Sequence, residues 1–299
     1  MARRSEWFHP RGSLARNGWQ TVVDDTASSL RYTGLRIGAP LGRQEFHLTA
    51  GDTERMIVPL DARSVTIEHD LGRLELAGRA SVFDGRPDVA YLGVGVGATV
   101  VADGRFAVAE AHADRSLPVA VLRGPEIPVE LRGAGASSRQ VHNFGTPGAL
   151  EAQNLIVCEV LTPEGNWSSY PPHKHDELVP GDESRLEEIY YFESAVGRGL
   201  PGDPHANPFG LFSAYSSPGH PIDLDERVHS GDVALVPFGY HGPAVAAPGY
   251  DLYYLNVMAG PDPDRAWQIS DDPAHAWVRA SWAQQAADAR LPFERGANR

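Results

Sequence analysis

Short apolar runs separated by glycine, proline or aspartate recur along most of this 299-residue chain. The 31 glycines and 24 prolines are scattered between these runs and are not concentrated in one tract. Roughly nine or ten runs lie within residues 30–131 at intervals of about 8 to 12 residues, and the rhythm resumes over residues 152–258. Such spacing is typical of antiparallel β-sandwiches and barrels. The sequence therefore predicts an all-β protein.

A break rich in glycine, alanine and serine at residues 133–138 divides the strand pattern into two halves. A composition of this kind marks a loop or a domain junction. We predict an N-terminal β domain over residues 1–145, a second β domain over residues 146–270 and a tail over residues 271–299. The tail is predicted to form an amphipathic helix over residues 273–290 that caps the sandwich. Its apolar positions are mostly three or four residues apart, at Ala274, Trp277, Val278, Trp282 and Ala286.

The charge and cysteine content exclude several classes of partner and linkage. The formal net charge is −13, from 26 Lys and Arg against 39 Asp and Glu, and no basic cluster stands out. Nucleic acids and anionic membranes are therefore not expected as partners. Cys158 is the only cysteine, so an intrachain disulfide is impossible. The chain shows no signal segment and no apolar run near the ~20 residues of a membrane span, which predicts a soluble cytoplasmic protein.

Two histidines separated by one residue, His173 and His175, are the first candidates for metal ligands. On a β-strand, the two-residue side-chain period points both imidazoles to one face and Lys174 to the other. A third imidazole, His241, follows a hydrophobic strand and a Pro/Gly turn, where a neighbouring strand could bring it back to the pair. These three side chains are predicted to meet at one ion.

The choice between the adjacent carboxylates of Glu187 and Glu188 follows from strand alternation. Leu186, Glu188, Tyr190 and Phe192 would share one face of a strand, and Glu187 would point to the other. A carboxylate inside an aromatic barrel is costly unless a cation compensates it, so Glu188 is predicted to be the fourth ligand. Three imidazoles and one carboxylate suit one divalent ion, Zn²⁺ or Mn²⁺ with Fe²⁺ as a third candidate, and leave positions open for water or substrate.

The same residues carry a family resemblance. They resemble the two characteristic motifs of the cupin superfamily, which read here His173-x-His175, Glu188 and Gly231-x5-Pro237-x-Gly239-x-His241. The stretch Gly-Asn-Trp-Ser-Ser-Tyr-Pro-Pro-His-Lys-His-Asp at 165–176, with Glu-Glu-Ile-Tyr-Tyr-Phe at 187–192, resembles the 5-deoxy-glucuronate isomerases of myo-inositol catabolism. That family is similar to 4-deoxy-5-threo-hexosulose-uronate ketol-isomerase. The resemblance covers nearly the whole chain and implies a bicupin, two β-sandwich barrels in one chain with the metal in the second.

The resemblance implies a metal-dependent aldose–ketose isomerase that converts 5-deoxy-D-glucuronate to 5-dehydro-2-deoxy-D-gluconate. The divalent ion would act as a Lewis acid on the two reacting oxygens. A general base must lie within hydrogen-bond reach of the migrating proton. The candidates are Glu187, Tyr190, Tyr253 and Tyr254, and strand alternation counts against Glu187 unless the strand is bulged there.

The implied substrate is a small uronic acid whose carboxylate is best held by a guanidinium or an ammonium group. Lys174 is expected to point away from the metal, so Arg139 or Arg185 is the predicted substrate-binding residue. Twelve residues separate His175 from Glu188, more than in most cupins, which predicts an extended loop over residues 176–185.

Two other functions stay open on the sequence alone. One is a metal-dependent cupin dioxygenase, because three histidines and one glutamate also serve iron oxygen chemistry. The other is a non-enzymatic cupin that binds a sugar acid. Self-association into a homo-oligomer is also expected, because a long all-β chain with a metal-free first half suggests it.

Overall fold

The computed structural model describes residues 6–26 and 28–293, which form four stacked antiparallel β-sheets. We call them the first outer, first inner, second inner and second outer sheets. The two inner sheets face each other across the middle of the molecule, and each outer sheet covers the far face of one inner sheet. The all-β prediction is confirmed. No helix in the described range is long and apolar enough to cross a membrane.

The first barrel consists of the first outer and first inner sheets. In spatial order, the first outer sheet contains β4 (Glu45–Leu48), β9 (Ala98–Ala102), β6 (Ser64–His69) and β7 (Gly72–Ala77). The first inner sheet contains β11 (Ala120–Leu122), β8 (Val89–Leu92), β5 (Thr53–Pro59), β10 (Phe106–His112), β3 (Thr33–Gly38) and β2 (Thr21–Val23). Apolar side chains fill the space between the two sheets, among them Phe46, Ile57, Val100 and Phe106.

The second barrel consists of the second inner and second outer sheets. The second inner sheet contains β1 (Phe8–His9), β20 (Val233–Val236), β17 (Glu187–Val196), β22 (Tyr250–Ala259), β14 (Ile156–Thr162), β13 (Arg139–Gly145) and β12 (Val129–Arg132). The second outer sheet contains β19 (His220–Val228), β18 (Gly210–Ser217), β21 (Tyr240–Ala246), β16 (His173–Lys174) and β23 (Ser270–Asp271), and β15 (Trp167–Ser168) pairs with β21. This is the barrel that holds the candidate site.

Helical segments are short throughout the described residues. The predicted C-terminal helix is present as α1 (Val278–Ser281), and 3₁₀ turns span Gly124–Glu126, Gly135–Ser137 and Trp282–Gln284. The helix is a single turn, shorter than the predicted residues 273–290, and none of its residues is buried. Most of the stability of a helix in a protein comes from packing an apolar face, and α1 has no buried residue to provide it. Residues 294–299 of the predicted tail lie outside the described residues.

The strands around residues 133–138 belong to the second half. β12 and β13 flank this segment, and they pair with each other and, through β13, with β14 in the second inner sheet. Apart from β1, which pairs with β20, the strands of the second barrel therefore begin at β12, ahead of the predicted boundary at residue 145. The division into folding units stays a prediction.

Both faces of the second inner sheet are buried, and its side chains alternate between two surroundings. Along β17, Tyr190 and Phe192 lie in the core of the second barrel, whereas Ile189 and Tyr191 lie in the core between the two inner sheets. The two-residue period of a strand produces this alternation. Residues that differ by one position in sequence therefore face either the candidate site or the first half.

A buried ion pair joins the two halves. Arg79 of the first half donates two hydrogen bonds to Glu159 on β14, at 2.7 and 2.6 Å, and both side chains are fully buried. His142 and Tyr253 also contact this carboxylate, at 2.6 and 2.8 Å. Burial tends to raise the pKa of Glu159, but the charge of Arg79 and these hydrogen bonds lower it to about 2. The back of the second inner sheet is thus tied to the first half by a satisfied polar network.

Candidate metal centre and substrate pocket

Three side chains inside the second barrel form a compact cluster with metal-ligand chemistry. One ligand atom from each of His175, Glu188 and His241 lies within 4.8 Å of the others, and all three residues are buried. Nε2 of His175 and Nε2 of His241 each lie 3.1 Å from Oε2 of Glu188. The imidazoles come from the second outer sheet and the loop after β16, and the carboxylate comes from the facing inner sheet. Strand packing therefore brings together residues that are up to 66 positions apart.

His173, the fourth predicted ligand, lies beside this cluster. It pairs with His241 across β16 and β21, and their ring centroids are 4.6 Å apart. The ring of His173 is farther from that of His175, at 6.4 Å. The structure thus brings three predicted ligands into one tight group and places the fourth at its edge.

Backbone carbonyls orient the three imidazoles. Nδ1 of His173 lies 3.2 Å from the carbonyl oxygen of Pro171. Nδ1 of His175 lies 2.8 Å from that of Leu186, and Nδ1 of His241 lies 3.2 Å from that of Gly239. In a neutral imidazole, an Nδ1 proton donated to a carbonyl leaves the Nε2 lone pair for a ligand. Among the residues that the structure describes, the buried Nε2 of His241 finds no hydrogen-bond partner. An unsatisfied nitrogen beside a carboxylate and further imidazoles fits a divalent cation.

Burial disfavours charge throughout the cluster, and its neighbours decide each protonation state. Burial, with the charges of His241 and His175, holds the pKa of His173 well below its ordinary value. Burial also lowers the pKa of His175, but its hydrogen bond to Glu188 raises it overall. For Glu188, burial acts upward, but the hydrogen bond to His175 and the nearby imidazole of His241 outweigh it and lower the pKa. Glu188 is therefore an anion at neutral pH, as a metal ligand must be.

A cavity of about 290 Å³ opens beside the cluster. Its walls come from both sheets of the second barrel and from the C-terminal segment. The lining comprises Arg132, Arg139, Val141, Val160, Ser169, His173, Glu188, Tyr190, Tyr254, Asn256, Trp267, Ile269 and Arg279. The volume is sufficient for a small polar ligand but is at the low end for ligand sites.

Arg139 is a buried cation in this cavity. Its Nη1 donates to the Ser137 carbonyl at 3.0 Å, and its guanidinium lies over the Trp282 ring at 5.5 Å from the centroid. It makes no ion pair with a carboxylate in residues 6–26 or 28–293. Burial and the nearby arginine charges lower the pKa of Arg139 to about 10, so the group is still charged at neutral pH. Its charge is available to an anionic ligand.

The two other arginines of the cavity are already paired. Arg132 contacts Glu130 at 2.8 Å, and Arg279 donates to Asp271 at 2.7 Å. Their positive charges are therefore largely neutralised by their own partners. Within the described part of the chain, Arg139 differs from both in lacking such a partner.

Two tyrosines of the cavity are joined through a serine. Oγ of Ser169 lies 3.1 Å from the hydroxyl of Tyr190 and 3.2 Å from that of Tyr254. Burial, followed by the charge of Glu188, raises the pKa of Tyr190 well above its ordinary value. Burial likewise raises the pKa of Tyr254. Both phenols are therefore protonated at neutral pH and suited to donate a hydrogen bond or a proton.

Glu187 does not reach this cavity, which corrects its prediction as a catalytic residue. Its carboxylate accepts hydrogen bonds from the backbone of the first half, including Thr33 N at 2.7 Å. The register of β17 against β22 is continuous from Glu187 onward, so no bulge turns the side chain inward. Tyr253 also lies on the face of the second inner sheet that packs against the first half, and its hydroxyl donates to Glu159 on the same face. Strand alternation excludes both from the site.

Arg185 also lies outside the cavity, which corrects its prediction as a substrate-binding residue. Its side chain is 46% exposed and pairs with Asp262, with Nε 3.0 Å from Oδ1. Lys174 points away from the cluster, as alternation predicts, and its Nζ contacts Asp176 at 2.7 Å and Glu183 at 2.8 Å. Of the predicted substrate-binding residues, only Arg139 lines the cavity.

Sequence reasoning missed several residues of the cavity. Asn256 lies two positions after Tyr254 on the same face of β22, so strand alternation could have found it. Ser169 lies within the motif that carries the family resemblance. Arg132 and Arg279 come from segments that no periodicity links to the histidines. Arg132 enters through the place of β12 in the second inner sheet, and Arg279 through the packing of the tail over the barrel.

Comparisons with known proteins agree with this architecture. A sequence model of the KduI/IolB family matches residues 7–278. The chain is 40% identical over 266 residues to a Geobacillus kaustophilus protein named 5-deoxy-glucuronate isomerase, covering 87% of this chain and 91% of that protein. A Bacillus subtilis protein of the same name is 33% identical over 274 residues, covering 90% and 96% of the two chains.

Solved structures extend this agreement to the fold. An IolB-like protein from Salmonella typhimurium is similar with a TM-score of 0.80 and 32% identity, covering 91% of this chain and 98% of that one. An oxalate decarboxylase from Lactobacillus farciminis reaches a TM-score of 0.60 at 10% identity, covering 91% and 90%. That distant likeness concerns the two-barrel fold alone. The long family match and the identities above 30% show that the chain belongs to the KduI/IolB family.

Proposed function

We propose that this chain catalyses the metal-dependent isomerisation of 5-deoxy-D-glucuronate to 5-dehydro-2-deoxy-D-gluconate in myo-inositol catabolism. The observation that carries the proposal is a single cavity that joins a His/Glu cluster to a buried guanidinium, which has no carboxylate partner among residues 6–26 and 28–293. An ion at the cluster and a carboxylate at Arg139 would hold the two ends of one small sugar acid. The relatives named 5-deoxy-glucuronate isomerase support this substrate.

The proposed ligands of the ion are His173, His175, Glu188 and His241, with Zn²⁺ or Mn²⁺ as the first candidates and Fe²⁺ as the third. The buried anion of Glu188 and the unsatisfied Nε2 of His241 support a cation at this position. When bound, a divalent ion supplies Lewis-acid chemistry that stabilises negative charge as it develops on the reacting oxygens.

The remaining roles fall to side chains of the cavity. Arg139 is proposed to bind the substrate carboxylate and so orient the reacting end toward the cluster. Tyr190 and Tyr254 are proposed to donate protons or hydrogen bonds to substrate oxygens, because burial keeps both phenols protonated. Ser169 lies within hydrogen-bond distance of both hydroxyls and helps to fix their positions.

The test is NMR of the purified protein with 5-deoxy-D-glucuronate. We expect conversion to the keto acid, its loss after chelation and its return when Zn²⁺ or Mn²⁺ is added. A sample without oxygen should turn over equally fast, which separates the isomerase from a cupin dioxygenase. No conversion by metal-replete protein would contradict the proposal. The cytoplasmic location and the homo-oligomer stay predictions from the sequence.

A further inference from the structure

The carboxylate of Glu187 is held by a cluster of donors from the first half. Its Oε1 accepts from the backbone N–H groups of Arg31, Tyr32 and Thr33, at 2.9, 2.5 and 2.7 Å. The hydroxyl of Thr33 donates to the same oxygen at 3.0 Å. Three amides and one hydroxyl thus satisfy a single carboxylate immediately before Glu188.

A matching arrangement runs in the opposite direction. Glu54 of the first half accepts from the N–H groups of Gln153, Asn154 and Leu155, at 2.8, 2.6 and 2.7 Å. The hydroxyl of Tyr91 donates to the same carboxylate at 2.7 Å. This side chain is also held by three amides and one hydroxyl, and the amides belong to the other half. We call the two arrangements the Glu187 clasp and the Glu54 clasp.

The two clasps occupy corresponding places in the fold. Glu54 lies near the start of β5 and reaches the segment that enters β14, whereas Glu187 begins β17 and reaches the segment that enters β3. In each strand, the next residue points to the opposite side, into its own barrel. In the first half, that residue is Arg55, which pairs with Glu110 at 2.8 Å. In the second half, it is Glu188 of the cluster.

The first residue of β17 has a strand neighbour on one side only. The chain enters β17 from the loop over residues 176–185. Its pairing with β22 begins at Glu187, and its pairing with β20 begins only at Glu188. Just before β17, the N–H of Leu186 donates a hydrogen bond of 2.8 Å to the carbonyl oxygen of His175 and holds the chain there. A side-chain tether at Glu187 therefore limits how far the backbone that carries Glu188 can shift.

We propose that Glu187 is a positioning residue that holds Glu188 in place for metal binding through its clasp on the first half. This inference rests on the proposed function, because it requires Glu188 to be a metal ligand. It also assigns a role to the first half, which would support the metal site of the second half from the opposite face of the inner sheet. Groups that orient metal ligands typically change metal affinity by about 10–100-fold when removed.

The test compares Glu187→Gln with its matched control Glu54→Gln. A glutamine is uncharged and has one acceptor oxygen, so each change weakens one clasp without removing volume. Its NH₂ group would face Arg31 N in the Glu187 clasp, and Gln153 N with the Tyr91 hydroxyl in the Glu54 clasp. Both variants should lower the Tm of the metal-free protein by similar amounts. Only Glu187→Gln should weaken Zn²⁺ or Mn²⁺ binding, by about tenfold, in titrations against a competing chelator.

A second pair of variants tests the same point if Glu187→Gln does not fold. Thr33→Val removes the hydroxyl from the Glu187 clasp, and Tyr91→Phe removes the hydroxyl from the Glu54 clasp. Thr33→Val should weaken metal binding by a smaller factor than Glu187→Gln, and Tyr91→Phe should leave it unchanged. Equal metal affinity in the wild type, Glu187→Gln and Thr33→Val would overturn this inference and leave the proposed function intact. A wild-type protein that binds no divalent metal would overturn it together with the proposed metal dependence.

Discussion

The two barrels share one architecture and differ in the chemistry of their interiors. In the second barrel, the carboxylate of Glu188 is met by imidazoles. In the first barrel, Glu110 is met by two guanidinium groups, with Arg36 and Arg55 each 2.8 Å from one of its oxygens. The first site is therefore neutralised by the chain itself. The second leaves its cluster able to accept a cation.

The difference teaches which side chains convert a barrel core into a metal site. An arginine stays protonated in proteins and offers only donors, so it can balance a buried carboxylate but cannot ligate an ion. A neutral histidine offers a lone pair at one nitrogen while the other donates to the backbone. Within the described residues, the only group of three or more potential ligands is the one in the second barrel.

The largest effects should come from neutralising the two carboxylates compared above, Glu188 and Glu110. Glu188→Gln should lower kcat by about 1,000-fold and abolish tight Zn²⁺ or Mn²⁺ binding, because the cluster loses its only anion. Glu110→Gln, the matched change in the first barrel, should leave metal binding intact. It should lower the free energy of unfolding by about 2 kcal/mol, because two guanidinium groups lose their partner. Steady-state kinetics, metal titration and urea denaturation check these outcomes. A first-barrel variant that loses metal would contradict the assigned contrast.

A pH effect should appear at the face that the two halves share. The pKa of Glu159 falls from an ordinary value of 4.5 to about 2 in the folded protein, which corresponds to about 3 kcal/mol. Because the folded pKa is the lower one, this stability is present above pH 4.5 and is lost as the pH falls toward 2. Urea denaturation of the metal-free protein from pH 5 to pH 3 measures it. Glu159→Gln, which cannot titrate, should show a flatter pH dependence in this range, and an equally steep one would contradict the assignment.

A smaller effect should separate the unpaired arginine of the second barrel from the paired ones. Arg139→Met should lower kcat/KM for the sugar acid by about 30-fold, mainly through KM, because a charge-assisted contact to the substrate carboxylate is lost. Arg185→Met should leave kcat/KM unchanged, because that side chain pairs with Asp262 outside the cavity. Unchanged kinetics of Arg139→Met would remove Arg139 from the substrate site.

Much of the fold and the cluster follows from short-range patterns in the sequence. The regular turns predict an all-β chain, and the two-residue period separates Glu188 from Glu187 and the two histidines from Lys174. These inferences succeed because side-chain alternation is a property of a single strand. Alternation cannot tell Tyr253 from Tyr254 in the same way, because nothing in the sequence relates the register of β22 to that of β17.

The sequence by itself therefore determined the β architecture, the residue types of the cluster and the face on which each glutamate lies. Only the tertiary structure decided that Arg139 and not Arg185 lines the cavity, that Arg132 and Arg279 join it, and that two carboxylates clasp the opposite halves. The contacts that decide these placements join distant segments. Arg185 and Asp262 are 77 positions apart, and Glu187 and Arg31 are 156 positions apart. Such pairings depend on how whole sheets stack on one another. They cannot be predicted from the sequence, because no local periodicity encodes the packing of one sheet on another.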